Sequence, residues 1–207
     1  MGKIAGERVL CRAHPRFPFT IIRPPVVSGP ADPTLRAYYF IQRLLDGGEV
    51  LLPRGDYHFR QVYSEDLAGA FLAVLGNVRC LGKAYNVASR EIVSLRQHVE
   101  SIAAGLGAAP RIVEIPHPLF EGRGFLSDFP SYHGPRPLFP CIVPDIARAE
   151  AELDFRPTPY GEWMALTAGW FAQAYRGPAS AGYPRRQEEI RLAREYREQE
   201  AKFLSRF

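Results

Sequence analysis

The sequence predicts an α/β fold built on parallel strands, and three observations carry that prediction. Helical and strand patterns alternate along its 207 residues. The clearest strand, FTII at residues 19–22, is a short apolar run of the kind buried on both faces in parallel sheets. With 46% apolar and 12% aromatic residues, the chain has enough to bury a sizeable core.

Each element follows from local signals. Residues 2–14 read as a short helix closed by His14-Pro15, because the residue before proline is pushed out of the helical region. Pro33 is expected to open a helix running through Leu44 and Leu45 and stopped by Gly47-Gly48. A short strand at 49–52 and a turn at 53–56 follow. Residues 61–63 form a brief strand, and Ser64 is expected to cap a helix whose first turn carries Glu65 and Asp66. Leu67, Ala70, Phe71, Val74 and Leu75 recur at helical spacing and predict its buried face. A strand at 84–87 then leads to a helix capped by Ser94, with Gln97 at the capping-box distance and an apolar face of Leu95, Val99, Ile102 and Leu106. The segment between His117 and His133, rich in proline, glycine and aromatics, reads either as the wall of a pocket or as a packed surface loop. From Pro184 the composition turns highly charged and predicts a helix with the interrupted apolar stripe Ile190, Ala193, Phe203, Leu204 and Phe207. That stripe docks on the body of the chain or on a second copy.

Composition narrows the function classes. A formal charge of +4 without a clustered basic stripe argues against nucleic acid as the main partner. No apolar run approaches 18 residues, which argues against a membrane span. Cys11, Cys80 and Cys141 are widely spaced and odd in number, so neither a disulfide framework nor a zinc site is expected, and the cytoplasm is the natural setting. None of the five histidines pairs with another at i,i+4 or with a nearby cysteine, and no metal site is expected.

Four segments in succession resemble one family. GKIAGERVL followed by FTIIRPPVVSGP is similar to the Y-x-x-x-K-x-x-x-E helix and R-P-x-x-V-x-G-P strand of the NAD-dependent epimerase/dehydratase family, the extended short-chain dehydrogenase/reductases. Lys3 and Glu7 match the last two letters of the helix pattern, and the tyrosine would fall upstream of Met1. Residues 64–68 (SEDLA), 82–87 (GKAYNV) and Ser94-Leu95 resemble the family's next motifs. Asp145, Leu153, Phe155 and Pro157 match its closing segment, with Asp154 where a glycine is expected. The resemblance covers residues 1 to about 175. It implies the C-terminal part of a Rossmann-type parallel sheet with a small substrate-side lobe, here followed by a C-terminal helix. The expected division is 1–177 for that part and 178–207 for a charged helical tail.

The resemblance assigns roles to particular residues. Lys3 would bind the nicotinamide ribose of NAD or NADP and lower the pKa of the absent tyrosine; a solvated lysine at a helix start is the alternative. Pro24 and Pro25, just past a strand's carboxyl end, lie where the family places cofactor and substrate contacts, although proline also simply ends a strand. Val26 stands where sugar-nucleotide epimerases often have a substrate-binding asparagine, which argues against a polar sugar ligand. Counting seven back from Asp66, to the place of the family's diphosphate-binding arginine, gives Phe59; a one-residue shift would give Arg60. No glycine-rich dinucleotide fingerprint occurs in the sequence, since Gly47-Gly48 and Gly122/Gly124 lack its flanking pattern.

The resulting expectation is a truncated NAD(P)-dependent enzyme of this family, acting on a carbinol or ketone carbon of a small molecule in its intact parent. As this chain alone it is expected to be inactive and not to bind the cofactor. The missing N-terminal half or a second copy is the expected protein partner. A non-catalytic binding protein, including an RNA-associated relative like the chloroplast stem-loop RNA-binding members, is the alternative.

Overall fold

A computed structural model describes residues 2–55, 57–130 and 141–207. In chain order it contains α1 (Gly2–Ala13), β1 (Thr20–Arg23), β2 (Val26–Ser28), α2 (Arg36–Leu45), β3 (Val50–Arg54), β4 (His58–Phe59) and β5 (Gln61–Tyr63). Next come α3 (Ser64–Val74), β6 (Lys83–Asn86), β7 (Val93–Ser94), α4 (Leu95–Leu106), β8 (Ile112–Pro116) and α5 (His117–Gly122). The remaining elements are β9 (Cys141–Ile142), α6 (Ala147–Leu153), α7 (Tyr160–Gln173) and α8 (Arg186–Leu204). Helices and parallel strand pairs make this an α/β fold. The chain divides into two compact units. One comprises Met1–Val27, Arg60–Glu91 and Val143–Pro159; the other comprises Ser28–Phe59, Ile92–Ile142 and Tyr160–Phe207.

In the first unit, β1 and β6 pair in parallel, with Ile21 opposite Ala84 and Arg23 opposite Asn86. Arg23 O accepts from Val87 N at 3.2 Å, so Arg23 bonds toward β6. Because successive residues of a parallel strand point their backbone groups to opposite edges, Thr20 and Ile22 face away from β6. β2 pairs with β5. The core gathers Val62, Ala70, Tyr85, Val87, Ala149 and Phe155, with Ile22, Leu67 and Val74 packed against it.

The predicted buried face of α3 is only partly realised. Ala70 is buried, but Phe71 and Leu75 are 49% and 72% exposed. The strand pair beneath α3 is two strands wide among the described residues, so it covers only part of the helix. Ser64 does not cap this helix either: it is the first helical residue, after an extended Tyr63 whose side chain makes no capping bond. At the closing segment, Asp154 adopts the left-handed conformation (φ 50°) that favours glycine, which accounts for the family's preference there.

In the second unit, α4 and α7 pack closely, and α2 lies against both. Gly105 makes that approach possible, because a Cβ there would come within 2.7 Å of the Ala165 Cα. The capping box at Ser94 forms as predicted: Gln97 N donates to Ser94 Oγ at 3.1 Å and Ser94 N donates to Gln97 Oε1 at 2.8 Å. β3 and β8 pair in parallel from Val50 opposite Ile112 to Arg54 opposite Pro116. Pro53, expected in a turn, therefore sits in a strand. β4 lies between β7, antiparallel, and β9, parallel.

Three further expectations are corrected here. α2 starts at Arg36 rather than Pro33, because Asp32 Oδ1 accepts from Thr34 N at 2.9 Å and holds a turn, and Leu35 is left-handed (φ 56°). The segment expected as a loop after His117 contains α5, which has a proline in its first turn; His133 lies outside the described residues. The stripe expected on α8 is interrupted more severely than its sequence suggests. Ala193 and Leu192 are buried, whereas Phe203, Leu204 and Phe207 are all exposed. α8 packs on β3 and β8 and is held through buried charges at its first turns.

Candidate functional site

Lys3, Glu7, Pro24, Pro25, Val26 and Arg60 all lie in the first unit. β1 ends at Arg23, and Pro24 and Pro25 carry the chain into β2, which begins with Val26. Pro24 is exposed; Pro25 and Val26 are half-buried. Pro24, Pro25 and Val26 thus follow the carboxyl end of a parallel strand, the end at which open α/β sheets receive ligands.

α1 reaches the same end through one ion pair. Arg23 Nε donates to Glu7 Oε1 at 2.9 Å, and its Nη2 donates to Glu7 Oε2. These bonds hold the Glu7 carboxyl below the usual carboxylate range, with the guanidinium charge adding to the effect. Both oxygens of Glu7 are taken by Arg23. Lys3 lies one turn before Glu7 on the same helix face and is exposed. α1 has no buried residue of its own. The Glu7–Arg23 contact links α1 to the last residue of β1, which precedes Pro24 and Pro25.

Arg60, at the entry to β5, is spent on backbone. Its Nη1 donates to Pro144 O at 2.6 Å and its Nη2 to Arg90 O at 2.9 Å; its Nε is buried with no hydrogen-bond partner. A guanidinium so placed braces two loops. Phe59, the other register, belongs to the second unit, where its ring lies 5.7 Å from that of His98.

Several contacts that organise this unit could not be read from the sequence. Asn86, opposite Arg23 at the end of β6, donates from Nδ2 to Asp145 O at 2.9 Å. Asp66 accepts from Thr158 N at 2.9 Å and from Thr158 Oγ1 at 2.7 Å, tying the start of α3 to the closing segment. Glu152 accepts from Lys83 Nζ and from Tyr85 Oη, both at 2.7 Å, and is held below the usual carboxylate range chiefly by Lys83. Arg23 itself had a signal, the arginine of R-P, but no local spacing links residues 7 and 23.

Among the described residues no glycine-rich turn joins a strand to a helix N-terminus of the kind that cradles a pyrophosphate. Gly47 and Gly107 are left-handed glycines closing α2 and α4 instead. Among the described residues there is also no cluster of three metal-ligating side chains, and no helix is long and apolar enough to cross a membrane.

Comparison with known proteins places this architecture in a class. Residues 1–88 match the model of the NAD dependent epimerase/dehydratase family. The uncharacterized protein YbjS of Escherichia coli (strain K12) is 28% identical over 191 residues, covering 82% of this chain and 55% of the relative. UDP-glucuronic acid 4-epimerase from Bacillus cereus, solved in complex with NAD, superposes with a TM-score of 0.62 at 18% identity, covering 86% of this chain and 51% of that one. UDP-glucose 4-epimerase from Thermotoga maritima, solved with UDP-glucose, gives 0.65 at 20% identity over 83% of this chain and 52% of its own. The fold is that of the Rossmann-type epimerases and dehydratases. The chain spans about half the length of the relatives it matches.

Proposed function

We propose that the chain is the C-terminal part of an NAD(P)-dependent epimerase/dehydratase or reductase whose intact form works on a carbinol or ketone carbon of a small molecule. One observation supports the reading: Glu7 of α1, one turn after Lys3, pairs with Arg23, the residue just before Pro24 and Pro25. In the intact protein Lys3 would hold the nicotinamide ribose and favour ionisation of a neighbouring tyrosine, Pro24 and Pro25 would border the cofactor, and Val26 would face substrate. Residues 1–177 form this part and 178–207 its charged helical tail. The 207-residue chain alone would neither bind NAD nor catalyse, and its setting would be the cytoplasm.

The commitment of Arg60 to two carbonyls supports a substrate without a diphosphate, or a non-catalytic binding role, over a nucleotide sugar. Calorimetric titration with NAD and NADP tests the central reading. The chain alone should show no specific heat. A fusion to the unmatched N-terminal half of the E. coli relative should bind, and Lys3→Met in that fusion should weaken binding. Tight stoichiometric binding by the unfused chain would overturn the proposal.

A further inference from the structure

We propose that a cleft of the second unit, between the turn after α5 and helix α8, binds a small organic acid: a carboxylate carried on an apolar body. The proposal goes beyond the functional reading above and does not depend on it, because every residue it uses lies in the second unit. The cleft has a volume of about 260 Å³ and is lined by Arg123, Phe125, Glu188, Arg191, Leu192 and Glu195. That is just below the roughly 300–1,000 Å³ of sites for drug-sized ligands, so its occupant is smaller.

The turn is held without help from the Arg123 side chain. Gly124 is left-handed (φ 71°), and its N–H donates to Glu121 O at 2.8 Å. Arg185 donates from Nη2 to Arg123 O at 2.8 Å and from Nη1 to Gly124 O at 3.3 Å, with its central carbon 4.6 Å from the centre of the Phe125 ring. An arginine beside the end of a helix commonly serves such carbonyl groups itself. Here Arg185 serves them, and the exposed Arg123 guanidinium has no partner among the described residues.

Arg191 is surplus in the same way. Its place on α8 offers Glu188 at i−3 and Glu195 at i+4. Glu188 instead pairs with Arg185 Nη2 at 2.9 Å, and among the described residues Arg191 forms no ion pair with Glu195. Arg186 and Glu189 anchor α8, so Arg191 is not needed for docking either. Two unpaired guanidinium groups therefore line one cleft against one free carboxylate. The excess is a single positive charge, which matches a monoanion. Guanidinium forks take a carboxylate through two parallel bonds. Phe125 and Leu192, both buried, supply an apolar lining that a bare inorganic anion would not use.

The test follows the arginine Nε–Hε signals of the nitrogen-15-labelled 207-residue chain by nuclear magnetic resonance during titration with phenylacetate. The signals of Arg123 and Arg191, assigned through Arg123→Lys and Arg191→Lys, should shift together and saturate in the millimolar range. Arg123→Gln with Arg191→Gln should weaken binding roughly tenfold or more, since it removes the charge-assisted bonds. Glu195→Gln should strengthen binding, because it removes a charge that repels the ligand. Phenylethanol, which lacks the carboxylate, and acetate, which lacks the apolar body, should each bind more weakly than phenylacetate. All three replaced residues are exposed, so the variants should fold, and their amide spectra report whether they do. Should the double variant misfold, Glu195→Gln and the two truncated ligands still decide. The absence of a saturable shift would overturn the proposal. So would binding indifferent to the double variant, binding weakened or unchanged by Glu195→Gln, or inorganic phosphate binding as tightly as phenylacetate.

Discussion

Replacing Glu189 by alanine should cost the second unit about 3–5 kcal/mol, because it leaves a guanidinium buried without its counter-ion. The Arg43 and Glu189 side chains are 1% and 4% exposed. Arg43 donates from Nε to Glu189 Oε2 at 2.8 Å and from Nη2 to Oε1 at 2.6 Å, a two-point fork between α2 and α8. Arg186 donates from Nη1 to the same carboxylate at 3.2 Å. After truncation Arg186 keeps both oxygens of Asp46 and the Glu49 carbonyl, so it remains compensated. Arg43 keeps only neutral partners, Tyr39 O at 3.0 Å and Ser180 Oγ at 3.3 Å, together with the Tyr39 ring face 3.4 Å from its central carbon. Solvent cannot reach in to replace the lost charge, which is why an exposed pair, typically worth under about 1 kcal/mol, is the wrong comparison. Urea unfolding followed by tryptophan fluorescence reads the effect where it occurs, since Trp163 and Trp170 both lie in this unit. The melting midpoint should fall by roughly 10 °C, at about 2–4 °C per kcal/mol for a chain of this size. Arg43→Met combined with Glu189→Leu should recover most of the loss, because it removes both charges and keeps the volume. A single-variant cost below about 1 kcal/mol, or a double variant no better than the single, would refute this account.

Two smaller effects follow from conformation and burial. His98 Nδ1 lies 2.6 Å from Tyr160 Oη, and burial lowers its pKa to about 4, so the imidazole is neutral in the folded state. The unfolded chain takes up that proton first; stability is therefore full above about pH 6.5 and falls by up to roughly 1.4 kcal/mol per pH unit between there and pH 4. Unfolding free energies measured from pH 8 to 4.5 should show this extra slope, and His98→Gln should remove it; identical slopes for the two proteins would contradict the assignment. Asp154→Gly should stabilise the first unit by about 0.5–1 kcal/mol by relieving a left-handed aspartate, since the ion pair it gives up with Arg156 is 78% exposed on both sides and worth little. Calorimetry that shows no rise in the melting temperature would refute that gain.

What could be read from the sequence was local. The capping box at Ser94 and Gln97 is a pair three residues apart whose partners are each other's backbone, so spacing alone specified it. The strand after Phe19 was visible because an apolar run bounded by prolines has few other uses, and its parallel pairing with residues 83–86 follows the order of the family motifs. Helix starts fared worse where a side chain redirected the backbone. Asp32 turning back onto Thr34 delays α2 by three residues past Pro33, and such a turn competes with a proline start on nearly equal terms.

How the expected site residues and the buried charges are held together was not legible in the sequence, and the reason is sequence separation. Glu7 and Arg23 stand sixteen residues apart, and Arg43 and Glu189 stand 146 apart. No periodicity links either pair, because each forms only once a strand or helix has been laid beside another. The same limit explains Phe71 and Leu75. Helical spacing groups them with Leu67, Ala70 and Val74 on one apolar face, yet it cannot say how much of that face the folded unit covers. In this unit the core takes Leu67, Ala70 and Val74 and leaves Phe71 and Leu75 outside. An amphipathic pattern broader than the core that receives it leaves apolar side chains at the surface, and on α3 those are Phe71 and Leu75.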